Sequence, residues 1–163
     1  TYAYLERAGD RDALIERLRA AERFGQGYET VRYVGSALAD MAVHALPASE
    51  LPADPVAFEA ALLARRGLPA VAGVNHRFAH FQHLFAGDGY AAGYYVYLWA
   101  EVLEADAFSL FKEKGIFNRE VSGSFRENIL SKGGTEHPME LYVRFRGHKP
   151  ETRALIEKMW LGK

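Results

Sequence analysis

The chain has 163 residues, 49% hydrophobic and 25% charged, with a formal net charge of -1. That is long enough and apolar enough for a real core, and too nearly neutral for a global field that draws nucleic acid or an anionic membrane. There is no cysteine, which excludes disulfides and thiolate metal sites and suits a reducing, cytoplasmic setting; no apolar run nears the ~20 residues of a membrane span.

The chain opens TYAYLERAGD, with no initiator Met, basic leader or apolar leader segment, so it is expected to begin after processing or inside a longer protein. Residues 10–24 place Leu14, Leu18 and Ala21 on one helical stripe. A second helix runs from Tyr28 to Leu46, with Val31, Val34, Leu38, Met41 and Leu46 near a 3.6 period and Pro47 as its stop. Asp54-Pro55 reads as an N-cap followed by Pro at the first helical position, and Gly67 closes that helix.

Residues 68–89 hold Gly73, Gly87, Gly89 and three histidines and read as irregular connection, long enough to be functional. A long helix is expected from about Ala91 to Lys114, stopped by Gly115. Asn118 caps the next, which ends at Gly133-Gly134. Pro138 opens a short helix, and Glu151 to Trp160 forms the last. No segment alternates like a strand, so the fold class expected is all-α, an irregular multi-helix bundle in one region, 1–163. The basic stretch from Arg144 to Lys163 reads as a solvated surface.

Aromatics number ten Phe, nine Tyr and two Trp, and many fall between Phe78 and Phe117. If Ala91 onward is helical, Tyr90, Tyr94 and Tyr97 share one stripe of a helix that is apolar all round and should be buried on most sides. Burying three phenols is costly unless each hydroxyl finds a partner. Two readings stand: core tyrosines bonded to backbone carbonyls, or a cavity shared with a ligand. The preceding Gly87-Asp88-Gly89 turn allows close backbone approach or loop movement. His76, His80 and His83 have the spacing HxxxHxxH, which on one helix face offers a second, competing metal-site reading. No carboxylate lies between them to act as a base. His44 and His148 read as ordinary surface or helix-end residues.

The segment HLFAGDGYAAGYYVYLWAEVLEADAFSLF, from His83, resembles the C-terminal region of the thimet oligopeptidase, oligopeptidase A and peptidyl-dipeptidase family of zinc peptidases. ERFGQGYETVRYVGSALADMAVHAL, KEKGIFNREVSGSFRENILSKGG and PMELYVRFRGHKPETRALI resemble further helices of that family, so the likeness covers about Thr1 to Trp160. The resemblance implies the C-terminal part of a larger α-helical zincin-like peptidase that cuts short peptides. It implies transition-state stabilisation by Tyr90 and Tyr97, substrate contacts from His83 and Tyr94, and loop closure at Gly87 and Gly89.

The family's zinc motif, HExxH, puts two imidazoles on one helix face with a glutamate as general base. It does not occur here; Glu136-His137 is the nearest look-alike, in reverse order. The expectation is that zinc belongs to the intact parent, that this chain binds none and is inactive alone, and that the preceding part of the enzyme is its partner. Its exposed cleft face then invites self-association. The alternative is a stand-alone helical binding or scaffold module that kept the fold without the chemistry.

Overall fold

The computed structural model describes residues 11–159, and its described residues are helices, turns and connections with no strand. The chain forms two compact units, divided between Tyr95 and Val96, inside the tyrosine run itself.

In the first unit, α1 (Arg11–Arg23) buries no residue, and Leu18 is left exposed. Helix α2 (Gln26–His44) starts after Gly25, whose φ of 76° is a left-handed turn between the two helices. Its buried face is not the stripe of larger apolar residues. Val31 and Met41 are exposed, whereas Ser36, Ala39, Asp40 and Val43 are buried at spacings of three, one and three. Small side chains win this face because neighbours come very close: a Cβ added at Gly35 would lie 2.7 Å from Leu68 Cδ2.

Helix α3 (Pro55–Arg65) starts as its sequence dictates. The Asp54 carboxylate accepts from the amides of Val56 and Ala57 at 2.9 and 3.0 Å, and Pro55 occupies the first turn. Gly67, at φ 70°, turns the chain out of it. The long connection that follows contains a 3-10 turn (Phe78–His80) and the short helix α4 (Gln82–Phe85). Buried Phe78, Phe81 and Leu84 pin it to Ala39 and Val43 of α2 and to Leu62 and Leu63 of α3, with Tyr94 completing the core.

The second unit opens on α5 (Val96–Lys114), five residues later than the sequence predicts. Residues 91–95 are turns instead, and Ala92 adopts φ 55°, which no helix contains. Nor is α5 buried on most sides: Val102, Ala105 and Asp106 are its buried residues, and Trp99 is 42% exposed. Gly115 ends it at φ 103°. Asn118 then caps α6 (Arg119–Phe125) through the amides of Glu120 and Val121, and α6 continues into a π-helical turn, Arg126–Leu130. Helix α7 (Pro138–Arg146) and helix α8 (Arg153–Lys158) complete the unit. Helix α8 packs on α5 through Leu155 against Val102 and Ala105. Trp160 lies outside the described residues.

The basic stretch is solvated for the most part. Arg144 pairs with Glu136, Arg153 with Glu157 and Lys158 with Glu104. Arg146 departs from that expectation: its guanidinium is nearly buried, with Nε donating to the Asp106 carbonyl at 3.0 Å and Nη2 to Ser109 Oγ at 2.9 Å.

Candidate functional site

Four candidate residues of the first unit, His83, Gly87, Gly89 and Tyr90, lie on its surface, and the core explains how. Helix α4 buries Leu84 completely and turns His83, next to it, outward. The His83 ring stacks on Tyr90, centroids 4.1 Å apart and planes 28° apart. Tyr90 is 36% exposed, so the pair forms an aromatic shelf at the surface. Gly87 and Gly89 sit between the two rings in sequence, both exposed, and a Cβ at either would meet nothing within 4 Å. The space beside that short loop is open to another chain.

Tyr94 lies elsewhere than a common stripe would put it. Because residues 91–95 are turns, the helical spacing of Tyr90, Tyr94 and Tyr97 does not hold. The Tyr94 ring is buried in the core, edge-on to Phe81 at 5.2 Å, stacked with Tyr33 at 5.3 Å and edge-on to His83 at 5.9 Å. Its hydroxyl accepts from Asn75 Nδ2 at 3.2 Å, and its carbonyl takes the Tyr33 hydroxyl at 2.6 Å. Of the two readings of the tyrosines, Tyr94 is therefore a core residue with a satisfied phenol. Tyr97 belongs to the second unit, in the first turn of α5, and is 37% exposed.

Three residues outside the candidate set hold this arrangement, all within the segment ERFGQGYETVRYVGSALADMAVHAL that resembles the family. Asp40, fully buried on α2, accepts the amide of Ala92 at 3.0 Å on Oδ1 and the amide of Tyr94 at 2.9 Å on Oδ2. His44 Nδ1, one helical turn on, meets Asp40 Oδ1 at 2.7 Å, so His44 is part of the site's support rather than an ordinary helix-end residue. Ser36 Oγ accepts the amide of Asn75 at 2.8 Å, which carries Asn75 to Tyr94. The sequence does hold a signal. A carboxylate among Ser36, Ala39 and Val43 on a buried helical face needs donors, and an imidazole four residues on is within reach.

The three clustered histidines do not share a helix face. The 3-10 turn and Phe81, with ψ 62°, break the segment between them. His76 packs beside Phe81 at 5.2 Å while His83 packs on Tyr90. Among the described residues no three His, Asp or Glu side chains are placed to hold a metal ion. These side chains, as placed, do not fit a zinc site.

The second unit has its own concavity, of about 500 Å³, lined by Trp99, Leu103, Phe108, Phe111, Phe125 and Met139 among others. At its edge the Tyr142 hydroxyl donates to Asp106 Oδ2 at 2.5 Å, and Arg146 Nε lies 3.3 Å from the same oxygen. Burial, and then the Asp106 carboxylate, push the Tyr142 phenol far above its ordinary value.

A sequence model of Peptidase family M3 matches residues 4–161. The chain belongs to peptidase family M3. It is 65% identical to oligopeptidase A of Escherichia coli over 82 residues, which is 50% of this chain and 12% of that protein. It is 38% identical to the dipeptidyl carboxypeptidase of the same organism over 148 residues, 90% of this chain and 21% of that one. A thimet-like oligopeptidase of Dictyostelium discoideum is 29% identical over 154 residues, 22% of its length. This M3 chain thus spans 12 to 22% of the length of these relatives. Among its described residues no helix is long and apolar enough to cross a membrane.

Proposed function

We propose that this M3 chain supplies the peptide-holding wall of a zinc-dependent peptidase that hydrolyses short peptides, in the manner its relatives' names describe. The observation that carries the reading is the His83–Tyr90 stack, exposed beside the open Gly87–Gly89 loop and braced from beneath by a buried carboxylate. Two ring edges with polar atoms next to accessible backbone suit an extended peptide, whose amides and carbonyls repeat along its length.

The chemical role of this wall is electrostatic. As a scissile carbonyl becomes tetrahedral, charge gathers on its oxygen. A phenol aimed at that oxygen stabilises the transition state more than the planar ground state. Tyr90 and Tyr97 fill this role. His83 donates to a neighbouring substrate carbonyl, and Gly87 and Gly89 let the loop settle over the peptide. Tyr94 supports the turn from the core. The zinc belongs to residues outside the described set, and the rest of the parent enzyme, which carries them, is this chain's partner. A cytoplasmic setting goes with the lack of cysteine. The higher local identity to oligopeptidase A favours that branch over the dipeptide-releasing one.

The test uses the full-length enzyme that carries this region. Tyr90→Phe and Tyr97→Phe should each lower kcat on a short peptide by on the order of 100-fold, with KM and thermal unfolding little changed. Wild-type kcat in both variants would overturn the reading.

A further inference from the structure

Asp40 is a fully buried carboxylate, and its hydrogen bonds run to a strained turn of the first unit. Ala92 is the sole non-glycine among the described residues with positive φ, at 55°, a conformation that residues with a Cβ rarely adopt. Such a conformation persists only where its surroundings over-determine it. Here the determining group is Asp40, whose two oxygens take the amides on either side of Gly93, those of Ala92 and Tyr94. The turn closes further through Gly93 N–H to the Tyr90 carbonyl at 2.9 Å and Ala91 N–H to the Asp88 carbonyl at 3.3 Å. Fixing Ala92 therefore fixes the backbone from which the Tyr90 ring projects.

The same helix reaches the other stem of the loop. His44, bonded to Asp40 Oδ1 at 2.7 Å, lays its ring against Phe85 with centroids 5.5 Å apart. Phe85 ends α4, two residues after His83 and two before Gly87. One side chain pair on α2 thus holds both stems of the segment 86–91, which carries the open loop between His83 and Tyr90. Backbone alone does not require this. Gly87 and Gly89 have no left-handed φ, and a Cβ at either would meet nothing within 4 Å, so neither glycine anchors the loop tip by packing.

We infer that Asp40, backed by His44, is a positioning residue that sets the Tyr90 phenol against a peptide substrate. This rests on the proposed role of Tyr90 in catalysis. In Asp40→Asn an amide N–H2 faces one of the two backbone N–H groups, and that half of the clamp is lost without a change in side-chain size.

The experiment is a double-mutant cycle in the full-length enzyme, with kcat and KM measured per folded, active enzyme. Asp40→Asn alone should lower kcat by on the order of 10- to 100-fold, the scale on which misplacing a catalytic group acts. In the Tyr90→Phe background the same substitution should cost less than threefold further, because the phenol it positions is gone. Equal losses in both backgrounds would make Asp40 merely structural and overturn the inference, as would unchanged kcat in Asp40→Asn. If Tyr90→Phe itself has wild-type kcat, it is the functional reading that fails. Should Asp40→Asn not fold, His44→Phe carries the same cycle. Its ring still covers Phe85 but cannot bond the carboxylate, and it should lower kcat several-fold in the Tyr90 background alone; no loss, or the same loss in both backgrounds, would overturn the inference.

Discussion

The fully buried carboxylate of Glu59 accepts the backbone N–H of Phe78 at 2.8 Å, and Arg77 Nη1 closes on its other oxygen at 2.7 Å. Helix α3 thereby seizes the start of the 3-10 turn that leads into α4 and His83. Glu59→Ala leaves the Phe78 amide buried without its partner, a loss of about 1–3 kcal/mol. Arg77, 57% exposed at its side chain, rehydrates at little cost. Glu59→Gln keeps an acceptor and should lose less. Hydrogen exchange reads this locally: protection of the Phe78 amide should fall in Glu59→Ala and survive in Glu59→Gln. Equal protection in wild type and Glu59→Ala would show that the turn stands on its packing alone.

The second unit makes a prediction at alkaline pH. The Tyr142 phenol is held neutral by burial and by its hydrogen bond to Asp106, so its folded pKa is raised above the unfolded value of about 10. A group raised on folding contributes stability that is fully present below the unfolded pKa. That stability falls as pH climbs above about 10, because the unfolded chain loses its proton first. Phenolate absorbance should therefore show Tyr142 ionising only with unfolding of α5 and α7. Tyr142→Phe should remove that late step and flatten the alkaline loss of stability. An unchanged titration in Tyr142→Phe would refute it.

What the sequence discloses follows from how local each signal is. Caps and stops act within a turn of their own residue, and so Asp54-Pro55, Gly67, Gly115, Asn118 and Pro138 fall where the spacing predicts. The tyrosine run is different. Periodicity continues a helix back to Ala91, but two backbone N–H hydrogen bonds to the Asp40 carboxylate, more than 50 residues earlier, hold Ala92 and Tyr94 in a turn. No local pattern reports a partner that distant. The buried face of α2 is misread for a related reason. Large apolar side chains mark a stripe, whereas close approach selects the small ones at Gly35, Ser36 and Ala39. The family was legible because a resemblance spread over nearly the whole chain does not depend on any one of these elements.

Both units leave large apolar side chains uncovered. Val31 and Met41 on α2, and Trp99 and Phe108 beside the concavity on α5, are exposed, and Phe117 is 96% exposed. Surfaces of this kind on a chain that spans at most 22% of its relatives' length should associate when the chain is expressed alone. Sedimentation over a range of concentrations should show reversible oligomers that grow with added sulfate, a kosmotropic salt that strengthens apolar association. A monomer at every concentration and salt would count against the view that these faces are normally covered.

Gly35 offers the sharpest test of the packing beneath the site. A methyl there meets Leu68 Cδ2 at 2.7 Å, with the Gly73 carbonyl at 3.6 Å and Leu63 Cδ2 at 3.8 Å. The first neighbour is the end of a flexible side chain, so Gly35→Ala is absorbed by a rotation of Leu68, offset in part by the better helix propensity of Ala, ~1 kcal/mol. Gly35→Val adds two further methyls beside the buried Leu63 and the Gly73 backbone carbonyl, which cannot rotate away, and should cost about 1–3 kcal/mol. The strain falls next to Ser36, whose hydroxyl holds Asn75 and through it the Tyr94 phenol. The expected order of thermal stability is therefore wild type near Gly35→Ala, with Gly35→Val well below both. A Gly35→Val protein as stable as wild type would mean that α2 and the 68–74 connection can separate without loss, and that the close approach is not what selects the small-residue face.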